Sequence, residues 1–176
     1  MAEKQKSYFL VVSRLVPYKK VDLAVQAFNE NGLPLVVVGM GSEEKKLKRM
    51  ASNNIKFVGQ VTEKELILYY KNCRALIFPQ DEDFGLVAVE AISHGKPVIA
   101  YKAGGALDII KEGNPTSPKA SLGAGNGVFF EKQTAESLNK AIERFAKMKW
   151  NNDIIVFTSN RFSKERFKKE FLSLIK

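Results

Sequence analysis

The residues in this chain whose types and spacing could do chemistry are a cluster of cations and a pair of carboxylates. The stretch "SRLVPYKKVD" carries Arg14, Lys19 and Lys20 directly after an apolar run. A planar, forked guanidinium beside a point-charge ammonium suits a diphosphate. Lysines after a turn can simply solvate a helix start, yet positive charge there opposes the helix dipole, so a local anion makes better sense of them. Further on, "PQDEDFGLVAVEAISHGKPVIA", residues 79–100, sets Glu82 and Glu90 around Gly85. This segment reads as a loop followed by a helix whose free first-turn amides, at Gly85, Leu86 and Val87, can hold a phosphate. Two acids near one anion repel it unless each meets something else. Hydroxyls are the obvious partners, and sugars carry hydroxyls.

Other motifs narrow the chemistry. "VVVGMGSEE" invites a dinucleotide-binding reading, but the third glycine of that fingerprint is replaced by Glu44, which would repel a pyrophosphate. A hydride-transfer cofactor is therefore not expected. Gly39 and Gly41 either permit close approach of a ligand to the backbone or form a tight strand-to-helix turn. The run Asp81, Glu82, Asp83 reads as a sugar-facing loop, and no metal is expected. His94, the single histidine, falls at a helix C-terminus, where electrostatics give it a routine role. The single cysteine, Cys73, can form no internal disulfide, reads as a buried small thiol and fits a reducing compartment.

The elements that must position these groups are short and regular. Near-continuous apolar runs occur at 8–14, 34–39, 55–59, 75–79, 97–101 and 127–130, the pattern of strands buried on both faces. Amphipathic stretches such as "VDLAVQAFNEN", "SEEKKLKRMAS", "TEKELILYYKN" and "TAESLNKAIERFAKM" lie between them, and Thr62 with Glu65 makes a capping box. Strict alternation predicts an α/β, Rossmann-like doubly wound parallel sheet of about six strands with helices on both faces. Ligands then bind beyond the carboxyl ends of the strands, where strand order reverses. The 176 residues are read as a single domain, with 161–176 as a C-terminal amphipathic helix. The Gly/Pro/Ser-rich stretch 111–127 is either an exposed connection or an active-site lid.

Glu82 and Glu90, with seven residues between them and "FGL" inside, resemble the acid-pair signature of retaining glycosyltransferases of family 4, which have the GT-B fold. "SRLVPYKKVD" is similar to that family's phosphate-binding segment, "VVVGMGSE" to its second-strand turn, "IKFVGQVTEKEL" to its base-pocket segment and "GKPVIAYKAGG" to the strand and turn after the signature. The phrase "DEDFGLVAVEAISHGKPVIA" most resembles WbaZ-like mannosyltransferases. The resemblance implies that Arg14 and Lys19 hold the donor diphosphate, that Glu82 contacts the transferred sugar, and that Glu90 binds the ribose hydroxyls. Val61 would line the base pocket. Phe84, Gly85, Leu86 and Val87 at the helix start, with Gly39, would complete the donor-binding set. Where the family commonly has glycine after the lysine, this chain has Lys20.

By the same resemblance the chain is the C-terminal, donor-binding half of a GT-B enzyme whose N-terminal acceptor domain is absent. The implied activity is transfer of a hexose from a nucleotide-diphosphate sugar, GDP-mannose favoured, to a glycan or lipid-linked acceptor in polysaccharide biosynthesis. Departure of the nucleoside diphosphate would be assisted by cations and helix amides without a metal. A net charge of +9 fits an anionic partner, and an anionic membrane surface suits it at a cytoplasmic, peripheral location. Two other readings stand beside this one. A non-catalytic nucleotide-sugar binding module would share the donor site. A nucleic-acid-binding domain would use the charge, but the lysines are scattered rather than set in a stripe with aromatics, so no nucleic acid is expected.

Overall fold

The computed structural model describes residues 8–113, 125–163, 166, 168 and 171–173. Six strands form one sheet: β1 (Phe9–Val12), β2 (Leu35–Val38), β3 (Ile55–Gly59), β4 (Leu76–Phe78), β5 (Val98–Tyr101) and β6 (Gly127–Phe130). Their order is β3-β2-β1-β4-β5-β6, and every pairing is parallel. This is the doubly wound order, and it reverses between β1 and β4. The loops leaving those two strands therefore diverge and leave a crevice at their carboxyl ends. They are the same two loops that carry the cations and the acids.

Among the described residues, the crossovers between strands are made by α1 (Val21–Asn31), α2 (Glu44–Met50), α3 (Glu63–Asn72), α4 (Leu86–Ser93) and α5 (Ala106–Ile109), and α6 (Ala135–Lys147) and α7 (Asn152–Ser159) follow β6. Side chains of α1, α2 and α6 share one core with Phe9, Val11 and Val37, while α3, α4, α5 and α7 share the other with Leu10, Val36 and Leu76. Successive strand residues point to opposite faces, so each strand feeds both cores. Phe9 sits at the centre of the first, edge-on to Phe28 at 5.3 Å and to Phe145 at 5.8 Å. The capping box at the start of α3 is complete, with Glu65 accepting from the Thr62 amide at 2.8 Å.

Four features depart from or extend the sequence reading. Helices α5 and α7 were not anticipated: the first has four residues, too few for a period, and α7 is marked only by its cap, Asn151, which accepts from the Asp153 and Ile154 amides. Of the expected helix over 161–176, Asn160–Phe162 form a 3-10 turn, residues 166, 168 and 171–173 are helical, and most of the rest lies outside the described residues. Most of the Gly/Pro/Ser-rich stretch, residues 114–124, is also outside them. Its flanks meet, with the Asn126 amide donating to the Lys111 carbonyl and the Lys111 amide to Asn126 Oδ1, both at 2.9 Å.

Lys20 is the non-glycine residue with positive φ among the described residues, at 53°, and it joins a 3-10 turn (Pro17–Lys19) to α1. Its side chain is exposed. A left-handed non-glycine residue costs about 1 kcal/mol, part of which glycine returns through a freer unfolded chain. Lys20→Gly is expected to raise the urea midpoint modestly, by roughly 0.5 kcal/mol of stability. A lowered midpoint would mean that the lysine side chain itself stabilises this turn.

Candidate functional site

The crevice at the reversal point contains an 800 Å³ cleft lined by Tyr18, Lys19, Glu82, Phe84, Leu86 and Glu90, among others. An adjoining 440 Å³ hollow is lined by Arg14, Gly39, Met40, Val61, Leu66 and their neighbours. Val87 borders both. The fold thus gathers Arg14 and Lys19 from the loop after β1, Gly39 from the loop after β2 and Val61 from the approach to α3. The loop after β4 and the helix it enters supply Glu82, Phe84, Leu86, Val87 and Glu90.

Lys19 is 8% exposed, and its ammonium donates to Glu82 Oε1 at 2.7 Å. Gln80, 2% exposed, donates its side-chain amide to the other Glu82 oxygen at 2.9 Å. Burial pushes the Glu82 carboxyl up, but the Gln80 and Lys19 hydrogen bonds and the Lys19 and Arg14 charges together hold it below its ordinary value. Glu82 is an anchored carboxylate, not an acid poised to give up a proton. Arg14 is exposed and donates to the Tyr18 hydroxyl at 2.6 Å, leaving the rest of its fork turned to solvent.

The helix start has the expected geometry. Gly85 caps α4 at φ 62°, and a Cβ there would come within 2.9 Å of Ile109 Cδ1. The left-handed conformation suits glycine, while the methyl of Ile109 could shift to admit a side chain. No side chain caps this end, and the Leu86 and Val87 amides have no protein partner among the described residues. Phe84 and Leu86 stand out at the rim, 80% and 69% exposed. Glu90 is one turn into the helix, exposed, with Oε2 accepting from the Tyr70 hydroxyl at 2.8 Å.

Beneath the acid loop lies "AGG", after β5. A Cβ on Gly104 would be 2.6 Å from the Glu82 carbonyl oxygen, and one on Gly105 would be 2.3 Å from that of Asp83. The Gly105 amide donates to the Glu82 carbonyl at 2.7 Å. The turn after β5 is therefore a backbone platform for the carboxylate loop.

Gly39 packs tightly against the loop after β1. Its φ is 130°, and its missing side chain would fall 1.9 Å from the Ser13 carbonyl oxygen. Gly41 meets the Leu15 carbonyl oxygen in the same way, at 2.3 Å. These glycines let the loops after β1 and β2 lie against each other, which shapes the hollow's wall.

Tyr70 and Gln80, the neutral donors behind the two acids, were not anticipated. The signal for Tyr70 was its place on the buried side of a predicted helix, and for Gln80 its position two residues before Glu82. Cys73 is buried, and burial pushes its thiol up to about 12. His94 ends α4, with Nδ1 2.8 Å from the Glu90 carbonyl oxygen. Among the described residues no group of three or more His, Cys, Asp or Glu side chains could hold a metal ion, and no helix is long and apolar enough to cross a membrane.

Comparison with known proteins meets this geometry from another side. The family described as "Glycosyl transferases group 1" matches residues 2–168. The chain is 26% identical over 175 residues to O-antigen chain mannosyltransferase C of Escherichia coli, covering 94% of this chain and 43% of that protein. It is 34% identical over 103 residues to a GDP-mannose-dependent alpha-mannosyltransferase of Corynebacterium glutamicum, covering 58% of this chain and 25% of that protein. Among solved structures it is similar to a sucrose-phosphate synthase from Thermosynechococcus elongatus, with TM-score 0.78 and 24% identity over 97% of this chain and 45% of that one. The chain spans less than half the length of the curated relatives it matches.

Proposed function

Because the chain belongs to the glycosyl transferases group 1 family, we propose that it is the donor-binding half of a retaining glycosyltransferase of the family 4 type, similar to WbaZ-like mannosyltransferases. Its donor is a nucleotide-diphosphate sugar, with GDP-mannose favoured by the mannosyltransferase relatives. A second domain supplies the acceptor side of the groove, and the acceptor is a glycan or lipid-linked saccharide in polysaccharide biosynthesis. The basic surface suits peripheral attachment to an anionic, cytoplasmic membrane face.

The observation that carries this reading is the convergence, at one topological reversal, of a cation pair, an uncapped helix start and two carboxylates. The base enters the apolar hollow beside Val61 and Gly39. The diphosphate meets Arg14, Lys19 and the free amides of Leu86 and Val87, which stabilise charge as it develops on the leaving phosphate. Glu90 takes the ribose hydroxyls and Glu82 those of the sugar. Lys19 must then serve two anions, its present partner Glu82 and the incoming phosphate, and a buried ammonium with three donors can do so.

Calorimetric titration with GDP, UDP, ADP and their sugar conjugates tests the reading. One diphosphate is expected to bind selectively, and Arg14→Ala is expected to weaken it by about tenfold or more, the loss of a charge-assisted hydrogen bond. A folded chain whose affinity for every nucleotide ignores Arg14 and Glu90 would sink the proposal.

A further inference from the structure

A buried hydroxyl stands behind one of the two acids. Tyr70, on α3, is 1% exposed, and it donates to Glu90 Oε2 at 2.8 Å. Its ring lies nearly parallel to the His94 imidazole, with centroids 5.2 Å apart and an interplanar angle of 15°. The Tyr70 carbonyl accepts from the Cys73 thiol. Ring and backbone are therefore both fixed, and the hydroxyl has one direction to point.

Glu90 is differently placed. It lines the cleft and is exposed, and its second oxygen, Oε1, has no protein partner among the described residues. A free glutamate on a helix surface samples many rotamers, and a ligand that needs one of them must supply the ordering free energy. Here the tyrosine has already selected the rotamer. Burial, and then the charge of Glu90, push the Tyr70 hydroxyl far above its ordinary range, so it stays protonated and always donates.

We propose that Tyr70 is a positioning residue that fixes the Glu90 carboxylate with Oε1 presented to the cleft, and thereby sets discrimination between ribose and deoxyribose in the bound nucleotide. The inference rests on the reading of Glu90 as the ribose ligand. A buried tyrosine needs some partner for its hydroxyl. That the partner is a cleft carboxylate on another helix, rather than a nearby backbone carbonyl, is what links core packing to recognition.

The test is calorimetric titration of the 176-residue chain with GDP, UDP and ADP, then with the 2′-deoxy and 3′-deoxy forms of whichever binds best. Wild type, Tyr70→Phe and Glu90→Gln are compared, with thermal melting to confirm that each is folded. Tyr70→Phe keeps the ring and its stack on His94. Wild type is expected to favour the ribonucleotide by about tenfold, as for a hydrogen bond to a charged group. Tyr70→Phe is expected to cut that ratio severalfold, and Glu90→Gln, which leaves at most a neutral hydrogen bond, to cut it at least as far. An unchanged ratio in Tyr70→Phe beside a lowered one in Glu90→Gln would leave Tyr70 a core residue and overturn the proposal. An unchanged ratio in Glu90→Gln would overturn it through the ribose reading instead, and absence of binding by wild type would overturn the donor-site reading beneath both.

Discussion

Gly39→Ala is expected to be among the most damaging single substitutions in the chain, although it adds one methyl group. The added Cβ would lie 1.9 Å from the Ser13 carbonyl oxygen and 2.9 Å from its carbon, both backbone atoms. Neither side can retreat, because Ser13 donates to Val38 at 3.0 Å and Gly39 donates to Gly59 at 2.8 Å within the sheet's own hydrogen-bond pattern. The φ of 130° adds strain that only glycine escapes. Strain of about 1–3 kcal/mol and overpacking of similar size together reach the lower end of an ordinary domain's stability, roughly 5–15 kcal/mol. The expected result is a large fall in the urea midpoint or failure to accumulate folded protein. Gly32→Ala is the control: its φ is 69°, but a Cβ there meets nothing within 4 Å, so only the strain remains. Equal losses for the two variants would show that the contact with Ser13 does not matter.

On the function proposed above, Glu82→Ala is expected to remove donor recognition, and independently of that reading to remove part of the fold's stability. It leaves the Lys19 ammonium, 8% exposed, and the Gln80 amide, 2% exposed, without their acceptor. Breaking a fully buried pair costs about 3–5 kcal/mol, but the Glu82 side chain is 33% exposed and water can enter, so about 2 kcal/mol is expected. The double variant Lys19→Met, Glu82→Ala should recover most of that stability while remaining unable to bind the donor. The pH dependence carries the same sign. A carboxyl held low in the folded state stabilises fully above its ordinary value of 4.5 and loses that contribution as pH falls through the lowered one. Wild type should therefore lose its advantage over Glu82→Ala in acid, as read by urea melts across the acid range. A difference between the two that ignores pH would mean the ion pair is not what Glu82 contributes.

The sheet was legible because parallel strands buried on both faces advertise themselves as short apolar runs, and all six fell within the expected stretches. The four-residue α5 was not, since it is shorter than any period that could reveal it. At the site, residue types told which loops to watch, but not which side chains meet. Lys19 and Glu82 are 63 positions apart, and Tyr70 and Glu90 are 20 apart on different helices. Such pairs follow from strand order and helix rotation, which a linear pattern does not encode. Gly39 shows the converse limit. Its type was informative, but whether the vacated space faces a ligand or another loop depends on how β1 and β2 align.

The platform under the acid loop divides the labour between main chain and side chains. The Gly105 amide holds the Glu82 carbonyl, and Gly104 and Gly105 leave the room that the Glu82 and Asp83 carbonyls occupy, main-chain groups whose presence does not depend on what those residues carry. Asp83 and Phe84 are meanwhile exposed. The loop's path can thus be inherited unchanged while its outward residues vary, so a lineage could change what this loop offers to the cleft without rebuilding the scaffold that aims it.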